Sequence, residues 1–123
     1  MLSKSPIMAF LATTDADRAK RFFQDTLGLT FVTDDSYALV FNANGTMLRV
    51  AKAREFTPAP FTVLGWRVAD IAAEIRELTD RGVAFERYPF MTDDSAYFTF
   101  PDGARVAWFK DPDGNTLSLA QLA

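Results

Sequence analysis

The sequence predicts an α+β fold: two βαβββ modules in tandem, over residues 5–53 and 61–122, forming a cupped mixed β-sheet with the helices on the convex face. Three observations predict it. A helical stretch that opens on Asp and closes on Gly occurs twice, Asp15 to Gly28 and Asp70 to Gly82. The segments after each helix match in order: Gly28-Leu-Thr-Phe31 answers Gly82-Val-Ala-Phe85, and Leu48-Arg-Val-Ala-Lys52 answers Leu117-Ser-Leu-Ala-Gln121. Between the halves, Arg54-Glu-Phe-Thr-Pro-Ala-Pro60 interrupts regular structure.

Each element has a local reason. Residues 7–13 are apolar and β-compatible. Asp15 offers its carboxylate to the free amides of a first helical turn, and Ala19, Phe22, Phe23 and Leu27 follow at helical spacing. Gly28 takes the left-handed position that ends the helix. Strands are expected at LTFVTD, YALVFN and TMLRVAK. In the second half, FTVLGWRVA reads as a strand, and Asp70 caps a helix with Ile71, Ile75 and Leu78 on one side. VAFER, AYFTF, RVAWFK and NTLSLAQ read as the strands after it. Neither half can bury a sheet face alone, and pairing them leaves a concave face as a natural cleft.

Composition sets limits on function. The chain of 123 residues carries a net charge of −3, so attraction to nucleic-acid phosphates is not expected. No apolar run approaches the roughly 20 residues that span a bilayer, and no leader pattern precedes the first strand, so the expectation is a cytoplasmic protein without a membrane partner. The sequence has no Cys and no His. That excludes disulfides, thiolate nucleophiles and Ser-His-Asp chemistry, and it removes the commonest transition-metal ligand.

The stretch WFKDPDGNTLSLAQ, residues 108–121, places two aspartates and an asparagine around a glycine, as a cation loop does. Its counterpart in the first half is Asn42-Ala-Asn-Gly45, which has no carboxylate. What the two share is turn chemistry, so both are read as hairpin turns.

The chain resembles the vicinal oxygen chelate superfamily, the glyoxalase/bleomycin-resistance/extradiol-dioxygenase group. The residues that carry the likeness are Asp15, Arg18-Ala19, Phe22-Phe23 and Leu27-Gly28-Leu29, then Val68, Asp70-Ile71, Leu78, Gly82-Val83 and Phe109-Lys-Asp-Pro-Asp-Gly-Asn115. The resemblance implies two modules around a ligand site, and a homodimer. In metal-dependent members, inward-facing His, Gln and Glu side chains bind a divalent cation. Those positions fall here on Met8, Arg49, Val63 and Ser118, none a competent ligand, so no metal and no cofactor are expected.

The implied function is metal-independent binding of a small organic molecule, planar or anionic, as resistance-type members sequester a drug. A lyase, isomerase or dioxygenase with an atypical or absent metal site is the alternative, and no catalytic residue is assigned. The candidate ligand-binding residues are Met8, Phe10, Met47, Arg49, Arg67, Phe109 and Ser118. Strand alternation sends Ala12, Ala51, Gly65, Thr116 and Ala120 to the same face, and pairing across the second hairpin adds Ala107. Arg49 could hold an anion through its planar fork, or pair with an acidic side chain across strands. Trp66 and Trp108 are expected beneath the helices, with Phe22, Phe23, Phe31, Phe85, Phe98 and Phe100 in the core. The segment 87–96 is longer than its counterpart and is compatible with a lid carrying Phe90 and Met91, while Asp93-Asp94 read first as a solvated loop.

Overall fold

The structure, a computed structural model, describes residues 1–123. It forms two compact units, Met1–Thr57 and Pro58–Ala123, each built on a four-stranded mixed sheet. The first unit holds β1 (Met8–Thr13), helix α1 (Ala16–Arg21), β2 (Thr30–Asp34), β3 (Ala38–Ala43) and β4 (Thr46–Lys52). The second holds β5 (Thr62–Arg67), helix α2 (Ile71–Asp80), β6 (Phe98–Thr99), β7 (Arg105–Lys110) and β8 (Thr116–Gln121). Strand order is β1-β4-β3-β2 in one and β5-β8-β7-β6 in the other, the same topology twice.

The repeat extends to individual contacts. Phe31 meets Phe41 edge-on at 5.6 Å, and Phe85 meets Phe109 at 5.5 Å in the same way. Both helices are capped as expected. Asp15 accepts from Arg18 N and Asp70 from Ala73 N, each at 3.1 Å. Gly28 and Gly82, at φ +77° and +96°, close the two helical segments.

Three elements depart from the sequence reading. The first helix becomes a π-helical turn at Phe22–Thr26, closed by Leu27 N to Phe22 O at 2.9 Å. It sends Phe23 fully into the core, 5.7 Å from the Phe41 ring. VAFER is not a strand. It contributes a single bridge, Phe85 to Phe109, and one bond from Glu86 N to Trp108 O at 2.7 Å. The AYFTF strand shrinks to Phe98–Thr99, because the segment before it folds back on Arg87 instead of pairing.

In the first unit, Leu48, Val50, Leu39 and Phe41 are buried on the face that meets Phe23. In the second, α2 packs against β7 and β8, and Ala107, Phe109, Leu117 and Leu119 are buried with Ile71, Ile75 and Leu78. At about 25 cal/mol per Å² of apolar area, each large side chain so enclosed contributes roughly 1.5–3 kcal/mol before entropy is charged against it. The opposite face of each sheet carries no helix and is called the open face below. No helix is long and apolar enough to cross a membrane.

Candidate functional site

Strand partners share a sheet face, so register decides which side chains reach the open faces. In the first unit Met8 stands opposite Met47, Phe10 opposite Arg49 and Ala12 opposite Ala51. The open face there therefore carries Met8, Phe10, Met47 and Arg49, as the alternation predicts. Met8, Phe10 and Met47 are exposed, Phe10 by 60%. Arg49 is not a free cation: its Nη2 donates to Asp35 Oδ2 at 2.7 Å. That bond holds the Asp35 carboxyl below its ordinary value, with the backbone amides of Ala38 and Tyr37 adding to the effect. Next to it Lys52 Nζ donates to both oxygens of Asp34, at 2.8 and 3.0 Å. The acidic pair before β3 is thus matched to the two cations of β4.

In the second unit the ladder gives a correction. Ser118 faces Trp108, while Ala107 faces Leu119 and Phe109 faces Leu117. Trp108 therefore stands on the open face with Ser118, and Phe109 and Ala107 lie beneath α2, fully buried. Phe109 is a core residue, stacked on Trp66 at 6.4 Å, and lines no cleft. Trp66 does pack on the helix side as expected; Trp108 does not.

The cause is the turn. In the first hairpin Ala43 pairs with Thr46 around Asn44-Gly45, whose φ values are +50° and +93°. The second would keep the expected parity if it closed at Asp111-Pro-Asp-Gly114. Instead Asp111 draws Asn115 into the loop. Asp111 Oδ1 accepts from Asp113 N at 3.0 Å and Asn115 N at 2.8 Å, and Oδ2 accepts from Asn115 Nδ2 at 2.8 Å. The first ladder pair becomes Lys110 with Thr116, and a one-residue change of register turns every side chain of β7 over. Both Asp111 oxygens are occupied by the turn, and no group of three or more His, Cys, Asp or Glu side chains is placed to hold a metal. Burial pushes the Asp111 carboxyl up, against the pull of its hydrogen bonds to Asn115 and Asp113.

Around Trp108 the open face becomes aromatic. Tyr88 meets the indole edge-on at 5.4 Å and Phe90 at 5.7 Å, while Tyr88 and Phe90 lie nearly parallel at 5.6 Å. Phe98 joins them, 4.9 Å from Phe90. Its partner Val106 places it on the Trp108 side, not in the core under α2. Tyr88, Phe90 and Trp108, with Pro60 and Phe61, bound a shallow pocket of about 320 Å³ whose remaining walls are Thr62 and Thr116. No charged side chain lines it. Burial, and then the nearby Glu86 carboxylate, raise the Tyr88 hydroxyl's pKa, so it remains a protonated donor at neutral pH. Of the two side chains expected on the lid, only Phe90 is exposed. Met91 is buried, its sulfur taking the Tyr88 amide at 3.4 Å.

The other expected residues stand apart from this pocket. Ser118 lies on the same face beside Gly65, where a Cβ would come within 2.7 Å of Ser118 Oγ. Arg67 is exposed and lines a separate hollow of about 390 Å³ with Val68, Ala69, Gln121 and Leu122. It lies five residues along β5 from Thr62, roughly 17 Å at the usual strand rise. Val63 falls in an irregularity between Thr62 and Leu64 and leaves the ladder.

The positions that would hold a divalent cation do not suit one. They present a thioether at Met8, a guanidinium already paired with Asp35 at Arg49, an isopropyl group outside the ladder at Val63, and a lone alcohol at Ser118.

Comparison with known proteins agrees with the topology. The model of the Glyoxalase/Bleomycin resistance protein/Dioxygenase superfamily matches residues 6–119. An antibiotic-binding protein from a Streptomyces species, TnmS3, superposes with a TM-score of 0.77 at 26% identity, covering 100% of this chain and 99% of its own. A member of the same superfamily from Sphaerobacter thermophilus gives 0.77 at 24% identity, covering 98% and 99%. Lactoylglutathione lyase from Agrobacterium tumefaciens gives 0.68 at 22%, covering 95% and 93%; at that identity the likeness is one of fold. No curated protein matches. Two βαβββ units with the same strand order, and a family match over nearly the whole chain, place this protein in the glyoxalase/bleomycin resistance protein/dioxygenase superfamily.

Proposed function

We propose that this protein binds a small, planar, uncharged organic molecule on the open face of its second unit, without a metal ion. The observation that carries the reading is Trp108, turned onto that face and flanked edge-on by Tyr88 and Phe90. Rings at these angles offer flat apolar surfaces to a stacked ligand, and the pocket's volume falls at the small end of ligand sites. Thr62, Thr116 and the Tyr88 hydroxyl supply the few polar contacts that fix orientation. The lack of a charged lining argues against an anionic ligand, and Arg49 is engaged by Asp35. The likeness to an antibiotic-binding protein supports sequestration over turnover. The test is thermal denaturation in EDTA with neutral aromatic compounds, and separately with Mn²⁺, Fe²⁺, Ni²⁺ and Zn²⁺. A ligand at a hundred times its Kd stabilises by about 2.7 kcal/mol. Stabilisation by aromatics and by none of the metals supports the reading; a rise with one metal alone refutes it.

We further propose a homodimer in which a second copy covers Met8, Phe10 and Met47. Three large apolar side chains exposed side by side on one sheet face support it. Sedimentation of wild type and Phe10→Asp tests it: a dimer that the substitution dissociates is expected, and a wild-type monomer at all concentrations refutes it.

A further inference from the structure

The wall of the aromatic pocket is held by a residue that does not line it. Arg87 immediately precedes Tyr88, and its exposed side chain reaches along the segment that follows. Nη2 donates to the carbonyls of Met91, at 3.2 Å, and Asp93, and Nη1 donates to that of Ser95. All three partners are main-chain oxygens, not carboxylates. The segment is folded around the guanidinium, as only a planar group with several diverging N–H bonds allows. Local turns complete it: Met91 N closes on Tyr88 O at 2.9 Å, and Ser95 N on Asp93 Oδ1 at 3.0 Å. Between the anchors Arg87 and Met91 lie Tyr88 and Phe90, the two rings that stand against Trp108.

We propose that Arg87 is a positioning residue, gathering the carbonyls of Met91, Asp93 and Ser95 so that Tyr88 and Phe90 are fixed as the wall beside Trp108. Without it the loop has no regular secondary structure to hold it, since residues 87–97 form no helix or strand. Loosened rings sample many orientations, and a ligand must order them again on binding. The consequence for binding rests on the ligand site proposed above; the consequence for the wall itself does not.

The test uses the full chain with Trp66→Phe, which leaves Trp108 as the one tryptophan of the two in the sequence. Three readouts are taken on Arg87→Ala and Arg87→Lys: melting temperature, acrylamide quenching of Trp108, and affinity for N-phenyl-1-naphthylamine, a neutral aromatic probe. In Arg87→Ala, quenching is expected to rise and probe affinity to fall about tenfold, equal to 1.4 kcal/mol. Millimolar guanidinium chloride, but not equal urea or sodium chloride, restores both by refilling the carbonyl ring. Arg87→Lys keeps the charge but not the fork, and is expected to show the same loosening to a smaller degree. It serves as the test if Arg87→Ala does not fold. Wild-type quenching in both variants overturns the proposal, as does lost probe affinity with unchanged quenching. Increased quenching with guanidinium rescue and unchanged probe affinity supports the positioning role and counts instead against the ligand site.

Discussion

Asp111 accepts the backbone and side-chain amides of Asn115, each at 2.8 Å, and this contact decides which face of the sheet Trp108 occupies. Loop and site are thereby linked: a buried carboxylate sets the loop length, the loop length sets register, and register delivers the indole. Asp111→Ala leaves buried amides without acceptors and is expected to cost about 2 kcal/mol of stability. Asn115→Ala keeps both backbone donors and is expected to cost about 1 kcal/mol. Chemical denaturation monitored at Trp108 fluorescence checks both. Equal losses, or none, would remove the carboxylate from its role.

The aspartates should titrate in opposite directions. Burial raises Asp111 above 3.8, so the folded state holds this proton more tightly than the unfolded chain. Its contribution to stability is therefore greatest below 3.8 and declines as pH rises from there through the raised folded value. Asp34 and Asp35 are depressed below 3.8 by their bonds to Lys52 and Arg49. Their contribution is full above 3.8 and is lost as pH falls through the depressed values. Carboxyl ¹³C NMR should place the Asp111 midpoint above 3.8 and the Asp35 midpoint below it, with Arg49→Met moving Asp35 upward. An Asp35 midpoint indifferent to Arg49→Met would contradict the pairing.

Gly65 leaves room for the Ser118 hydroxyl, since a Cβ there would sit 2.7 Å from Oγ. Gly65→Ala is expected to destabilise by about 1 kcal/mol through overpacking, and less in a Ser118→Ala background. A double-mutant cycle in urea measures the coupling, and strictly additive costs would show that the two side chains do not compete for that space.

Topology was legible because it rests on local signals that occur twice. Asp15 and Asp70 at helix starts, Gly28 and Gly82 at helix ends, and matching turn residues each have a short-range cause. The open face of the first unit was legible too, because Met8, Phe10, Met47 and Arg49 lie on strands joined by a parallel ladder and a two-residue hairpin turn. The second hairpin was misread because parity depends on one residue, and Asn115 serves equally well as a strand start or a turn end. One signal was available: Asp and Asn four residues apart around Pro-Asp-Gly make a longer turn than Asn-Gly alone. The extra length of segment 87–96 marked Phe90 in the sequence, but the role of Arg87 gave no signal, since a guanidinium bonded to its own loop's carbonyls has no periodicity and no fixed partner type.

The most direct test is the indole N–H spectrum, which holds two signals because the chain has two tryptophans. In EDTA, titration with N-phenyl-1-naphthylamine should shift the Trp108 signal and leave that of Trp66, stacked on Phe109 beneath α2, unmoved. Binding that leaves Trp108 undisturbed, or that appears only when a divalent metal is added, would contradict the account.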